Sequence, residues 1–179
     1  MEAHKQLMRK DLDVESFGVG QLVRLPGPNR KQQTFPFGTP YTVIRDKLVS
    51  HEDADWYRSN GLLAMVERNC EIKKCPELWQ ALTSLSGRFD VVFCFEERVF
   101  EAVCEDVRNR DPEDVAEPQA MHVINLETVD NAEESIISAQ VCLDFCLRVA
   151  EADDLDEAVP RLIEEFKERR AMDHWVVYL

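Results

Sequence analysis

Residues 89–110 read FDVVFCFEERVFEAVCEDVRNR, and the two halves of this stretch follow different periods. The first part, FDVVFCF, is a nearly continuous apolar run of β-favouring residues. Such a run is expected of a strand buried on both faces. The second part spaces Val99, Val103 and Val107 four apart between charged residues, the signature of an amphipathic helix. A buried strand running straight into a helix is the opening of a β-α-β unit, and MHVINLE at 121–127 supplies the next buried-type strand.

Outward from this unit the alternation continues. Asn131 with Glu134 has the spacing of a capping box and opens a helix to about residue 151. Its apolar stripe is Ile137, Val141, Phe145 and Val149, widened by Ile136, Leu143, Cys146 and Leu147, which predicts a well-buried helix. LDEAVPRLIEEFKERR follows as a more exposed helix, with Pro160 either interrupting it or near its start. HWVVYL at 174–179 reads as a closing strand. Upstream, residues 1–10 read as a helix and VESFGV at 14–19 as a strand ended by Gly18 and Gly20. The stretch 22–40, dense in proline and glycine, reads as a long loop. Residues 41–69 are helical in pattern, with a break at Asn60-Gly61, and Pro76 is placed to open a further helix that stops at Gly87. Strands alternating with helices predict an α/β fold with a mainly parallel sheet flanked by helices. The 179 residues suit a single domain.

Charge is unevenly distributed. Residues 1–90 carry 13 Lys and Arg against 12 Asp and Glu, whereas residues 91–179 carry 8 against 23. So acidic a half argues against direct contact with a nucleic-acid backbone, which needs a basic footprint. It suits a solvated surface or a basic or neutral protein partner. No stretch has the length and apolarity of a membrane span or a secretory signal. Six cysteines lie mostly inside apolar runs, as expected of reduced, buried thiols. The spacings Cys70-x4-Cys75 and Cys142-x3-Cys146 do not make the four convergent ligands of a closed zinc site. His4, His51, His122 and His174 are scattered. No metal and no cofactor is expected.

Several segments together carry a family resemblance: ESFGVG, LVRLPGP, NGLLAMVERN, FDVVFCFEERVFE, HVINLETVDNAEES and the terminal HWVVYL. In order and spacing they resemble the small cysteine phosphatases that dephosphorylate the C-terminal heptad repeats of RNA polymerase II. The resemblance covers essentially the whole chain. It implies a fold like that of low-molecular-weight tyrosine phosphatases, and a reaction through a phosphocysteine intermediate. In that family the nucleophile lies in a Cys-x5-Arg-Ser loop between the first strand and the first helix, directly before Met-Glu-Ala-His. This sequence begins Met1-Glu2-Ala3-His4. The expectation is therefore that the first, central strand and the phosphate-binding loop are absent from these residues, through a start site assigned too late or a real truncation. The chain alone is then expected to be inactive.

The resemblance also assigns roles. It implies that Asp130 is the general acid for the leaving serine oxygen; read from the residues alone, Asp130 is a helix-entry aspartate. Glu127 stands where the family often has Asp. Arg24, Leu25, Pro26 and Met65 match positions lining the family's groove for a phosphoserine-proline peptide with the proline bond in cis. Read alone, LPGP is a rigid turn and Met65 a core residue. The implied partners are the phosphorylated polymerase repeats and a symplekin-type scaffold of the cleavage machinery, in the nucleus, with no membrane contact. Against this enzyme reading stands a non-catalytic relative that keeps a peptide- or scaffold-binding surface. A low-molecular-weight tyrosine phosphatase or arsenate reductase is not supported by LPGP or EERV.

Overall fold

The computed structural model describes residues 1–111 and 117–179. In chain order the elements are α1 (Glu2–Met8), β1 (Val23–Leu25), β2 (Gln33–Phe35), α2 (Tyr41–Val49), α3 (Ala54–Ser59), α4 (Leu62–Ile72), β3 (Val91–Cys94), α5 (Glu97–Asn109), β4 (Ala120–Leu126), α6 (Ala132–Ala150), α7 (Leu155–Phe166) and β5 (Met172–Tyr178). The chain divides into two compact units. One holds Met1 with Glu15–Ala81, and the other holds Glu2–Val14 with Leu82–Leu179.

The second unit is the α/β part. Its sheet has the order β3-β4-β5, with β3 parallel to β4 and β5 antiparallel to it. The directions follow from the connections. One helix, α5, separates β3 from β4 and returns the chain to the starting end, so the strands run parallel. Two helices separate β4 from β5, so the chain re-enters from the end where β4 left. Within the described residues the sheet is therefore mixed. β4 is its buried axis: every residue from Met121 to Leu126 is buried. Phe93 of β3, Phe145 of α6 and Phe166 of α7 stack edge to face through one core that also takes in Ala3 and Leu7 of α1.

Strand β3 departs from its expected burial. Only Cys94 is buried, and Val91, Val92 and Phe93 are half-buried, because β3 is the sheet's edge and lacks a neighbour on one side among the described residues. The stripe on α6 also ends early, since Ile136 and Ile137 are exposed. Pro160 lies inside α7, whose helix runs through it.

The first unit is built from α2, α3 and α4 around Ile44, Leu48, Tyr57, Leu62, Leu63 and Val66. Residues 22–40 are not one loop: β1 and β2 pair antiparallel, Val23 opposite Phe35 and Leu25 opposite Gln33. Residues 14–19 form no strand and make a single bridge, Gly18 with Leu78. That pairing also explains why the helix expected after Pro76 is lost. The Gly18 amide donates to the Glu77 carbonyl and the Trp79 amide to the Gly18 carbonyl, so this backbone is engaged elsewhere. Only a 3-10 turn remains at Trp79–Ala81.

Two of the four histidines, His122 and His174, meet on the sheet: His122 Nδ1 lies 3.0 Å from His174 Nε2, with the rings stacked. His122 Nε2 faces Asp156 Oδ1 at 3.6 Å, which favours the proton on that nitrogen and His174 Nε2–H donating to Nδ1. Burial pushes both imidazoles below the ordinary value of 6.5, against the pull of Asp156 and Asp90 on His122 and with the push of His122 and Lys167 on His174. A base whose folded pKa is lowered binds more protons when unfolded. Its contribution to stability is full above 6.5 and is lost as the pH falls through 6.5 towards the folded values. The melting temperature should fall as the pH drops below about 6.5, and His174→Asn should flatten that slope. A pH series of thermal melts decides it: an unchanged slope would mean that the pair does not set this dependence.

Candidate functional site

The carboxyl end of β4 gathers the polar groups of the second unit. In open α/β sheets the carboxyl ends of strands are where ligands bind. Asn125 is buried; its Nδ2 donates to Glu127 Oε2 at 3.3 Å and to Asp173 Oδ2 at 3.2 Å. Glu127 Oε2 also accepts from the Glu97 amide at 3.2 Å. Glu97 is the first residue of α5, so the Glu127 carboxylate caps that helix, where negative charge is favoured. The residue that stands in place of the family's usual Asp is thus engaged in holding strand to helix.

Beyond Glu127 the chain turns into α6. Thr128 Oγ1 bonds the Leu126 carbonyl and Ser138 Oγ, each at 2.8 Å. The Asn131 amide donates to the Val129 carbonyl at 2.8 Å, a three-residue turn with Asp130 at its centre. Asn131 caps α6, its Oδ1 accepting from the Glu134 amide at 2.9 Å. The reciprocal half of the expected capping box does not form, because the Glu134 carboxylate instead takes Arg170 Nη2 at 2.6 Å. Capping therefore falls to Asn131. Asp130 is exposed, and among the described residues its carboxylate has no hydrogen bond or ion pair. A carboxylate left uncommitted at the end of a central strand is available for chemistry.

Arg24, Leu25, Pro26 and Met65 lie in the first unit. Arg24 is exposed on β1 opposite Thr34. Leu25, half-buried, and Met65 on α4 pack against the same cluster of Tyr57, Leu62 and Val66. Pro26 is exposed and leads into a turn where glycine is obligatory: a Cβ on Gly27 would meet the Lys31 carbonyl oxygen at 2.3 Å. The structure thus brings Leu25 and Met65 onto one surface, while Asp130 belongs to the other unit.

The spacing Cys-x5-Arg occurs twice, at Cys104–Arg110 and Cys142–Arg148, followed by Asp111 and Val149 and not by serine. Neither is a phosphate loop. Cys104, Cys142 and Arg148 are on helices, where a residue and the sixth after it point about 120° apart. Arg110 is bound by Asp106, and Arg148 by Glu165. Cys104 and Cys142 are buried, and their thiols are pushed above the ordinary value, the opposite of an activated nucleophile. Sequence reading singled out none of Asn125, Thr128, Ser138, Arg170 and Asp173, and of these Arg170 and Asp173 come from far along the chain. Arg170 lies 36 residues from Glu134, and nothing in its local pattern marks it.

The comparisons with known proteins agree on one family. The model of the family described as Ssu72-like protein matches residues 1–179. The chain is 38% identical over 170 positions to the RNA polymerase II C-terminal domain phosphatase SSU72 of Danio rerio, covering 94% of this chain and 84% of that protein. Identity to the Mus musculus counterpart is 36% over 181 positions, covering 99% and 90%. Among solved structures, the Drosophila melanogaster serine phosphatase of the RNA polymerase II CTD superposes with a TM-score of 0.91 at 38% identity, covering 100% of this chain and 92% of that one. D. melanogaster Ssu72 with Symplekin, bound to a cis peptidomimetic CTD phosphoserine peptide, gives 0.90 at 37% identity, covering 99% and 90%.

The division of labour between Asp130 and Asn131 is testable by stability alone. Asn131→Ala removes the cap of α6 and should cost about 1 kcal/mol. Asp130→Asn removes a charge with no partner and should stay within about 0.5 kcal/mol of the parent. Denaturant melts of both variants give the comparison; equal losses would make Asp130 a structural helix-entry residue.

Proposed function

This chain belongs to the Ssu72-like protein family, and we propose that it acts as a protein serine phosphatase on phosphoserine-proline in the C-terminal heptad repeats of RNA polymerase II. The observation that carries this reading is the match over all 179 residues to a family whose similar members are named as C-terminal domain phosphatases. In this reading it works in transcription and mRNA 3′-end processing, in the nucleus, beside a symplekin-type scaffold. A similar structure that holds Symplekin and a CTD phosphoserine peptide supports both partners.

The reaction has two displacements. A cysteine thiolate attacks phosphorus, the S–P bond forms and the P–O bond to serine breaks, while Asp130 gives its proton to the departing serine oxygen. Water then attacks the phosphorus of the phosphocysteine and gives a proton to Asp130; a P–O bond forms, the S–P bond breaks, and phosphate and the thiolate are released. Arg24, Leu25, Pro26 and Met65 would hold the peptide with its proline bond in cis, the minor isomer of an X-Pro bond. The uncommitted carboxylate of Asp130 supports its part. The exposed turn at Pro26, and the shared packing of Leu25 and Met65, support theirs.

The 179 residues contain no Cys-x5-Arg-Ser sequence. We infer a sheet of the low-molecular-weight tyrosine phosphatase kind, in which the strand bearing that loop pairs with the open edge of β3 and the two units serve one domain. The half-buried Val91, Val92 and Phe93 on that edge support an apolar strand neighbour. The rival reading, a peptide- or scaffold-binding relative without turnover, rests on the same missing motif.

Three measurements test this. The 179 residues alone should not hydrolyse an aryl phosphate; turnover abolished by Asp130→Asn would refute the requirement for the loop. Joined to a strand and Cys-x5-Arg-Ser loop from a relative, the chain should hydrolyse phosphoserine-proline peptides, and peptide binding without turnover would favour the rival. In that joined chain, Asp130→Asn should slow phosphocysteine formation from the peptide by roughly 10²–10⁴-fold. The effect should be far smaller on an aryl phosphate, whose leaving group needs little protonation. Equal losses on both substrates would end the general-acid assignment.

A further inference from the structure

Asp130 sits at the tip of a connection that must be both exposed and still. A proton donor displaced by about 1 Å can lose on the order of 10²-fold in rate, yet the turn itself is held by only one backbone hydrogen bond across Asp130. Thr128 fastens the start of the connection to β4 and Ser138, and Asn131 fastens its end to the first turn of α6. Both are local bonds. One side chain reaches both ends at once: Arg170 Nη1 donates to the Glu127 carbonyl at 3.0 Å and Nη2 to Glu134 Oε2 at 2.6 Å. These two acceptors bracket Asp130, three residues before it and four after.

We propose that Arg170 is a positioning residue for Asp130, its guanidinium fork fixing residues 127–134 as one rigid staple; this rests on the general-acid reading of Asp130. The arrangement has what such a device needs. The backbone of Arg170 is anchored, its amide donating to the carbonyl of buried Phe166 at 3.1 Å, just ahead of β5. The Arg170 and Glu134 side chains are only 19% and 28% exposed, so their charge-assisted bond is less weakened by water than a surface pair. The two donors lie in one plane at fixed separation and engage a carbonyl and a carboxylate together. An ammonium, a single point of charge, cannot reproduce that fork. The Arg170–Glu134 pair also explains why Glu134 abandons the capping box: its carboxylate is committed to the staple.

Hydrogen exchange on the 179-residue chain reads the staple without any need for activity. In Arg170→Met, a side chain of similar reach without donors, amides of residues 129–134 should exchange about tenfold faster. Amides of β4 and α7 should keep their rates. Arg170→Lys should restore only part of the protection. Unchanged exchange at 129–134, full restoration by lysine, or a uniform rise through β4, α6 and α7 would each overturn the proposal. The catalytic consequence is read in the joined chain described above. Arg170→Met should lower kcat on the phosphoserine peptide at least about tenfold more than on the aryl phosphate, with KM for the peptide unchanged. Equal losses for Arg170→Met beside a selective loss for Asp130→Asn overturn this proposal alone. Equal losses for Asp130→Asn itself sink the general-acid reading and the positioning role with it.

Discussion

Strand β4 has neighbours on both edges and helices over both faces, and the second unit is organised by that burial. A strand so placed must satisfy its backbone through β3 and β5 and fill both faces with side chains that tolerate full burial. Met121, Val123, Ile124 and Leu126 do this with apolar groups. His122 and Asn125 do it with polar ones, and each draws a partner from the neighbouring strand β5: His174 for the first and Asp173 for the second. The register of β4 on β5 sets Asn125 opposite Asp173 and so brings the acidic group that meets the Asn125 amide. A slip of one residue would reverse the faces and leave both polar groups buried without their partners.

The end of β4 inherits this rigidity. Glu127 is held by Asn125 from below and by the α5 amide from the side, so the chain leaves the sheet from a fixed point. It enters α6 at another, the Asn131 cap. Asp130 lies between two fixed points on an exposed turn. That is a common solution for reactive groups: a short loop, free on its outer side, between rigid elements. The charge balance fits as well. Glu127 and Glu134, on either side of Asp130 in the chain, are bound to amide or guanidinium donors, whereas the Asp130 and Glu133 carboxylates are exposed and have no such donor among the described residues.

Much of this is legible in the sequence because it is local. The run FDVVFCF followed by valines four apart gives β3 and α5, and MHVINLE gives β4 almost to the residue. Asn131 is readable as a cap because the cap bond spans three residues. What cannot be read depends on distant partners. How far FDVVFCF is buried is decided by the strands beside it as well as the helices over it, and β3 is an edge among the described residues. Residues 76–85 have helical composition, but their backbone pairs with Gly18, far away in sequence. The proline-rich stretch at 22–40 hides a hairpin because strands of three residues are too short to show a period. Arg170 is invisible for the same reason: one arginine in a basic-acidic tail becomes specific only when folding sets it over Glu127 and Glu134. The general-acid role proposed for Asp130 comes only from resemblance, since an aspartate before a helix is common and the uncommitted state of its carboxylate is a property of three dimensions.

The edge of β3 bears on both the fold and the chemistry. An exposed edge carrying valine, valine and phenylalanine is a liability, because its free amides and carbonyls template pairing with other chains. Natural edges are blunted by charge, proline, a bulge or a cover, and Val91–Cys94 carries none of the first two. The physical expectation for such an edge is a partner strand, parallel to β3 if it is followed by a helix that returns the chain as α5 does. A strand there would end beside the carboxyl end of β3, where Glu96 precedes the first residue of α5, Glu97. The phosphate-binding loop proposed for this family follows a strand and precedes a helix. An apolar strand paired with this edge is the arrangement proposed above for the strand that bears a Cys-x5-Arg-Ser loop.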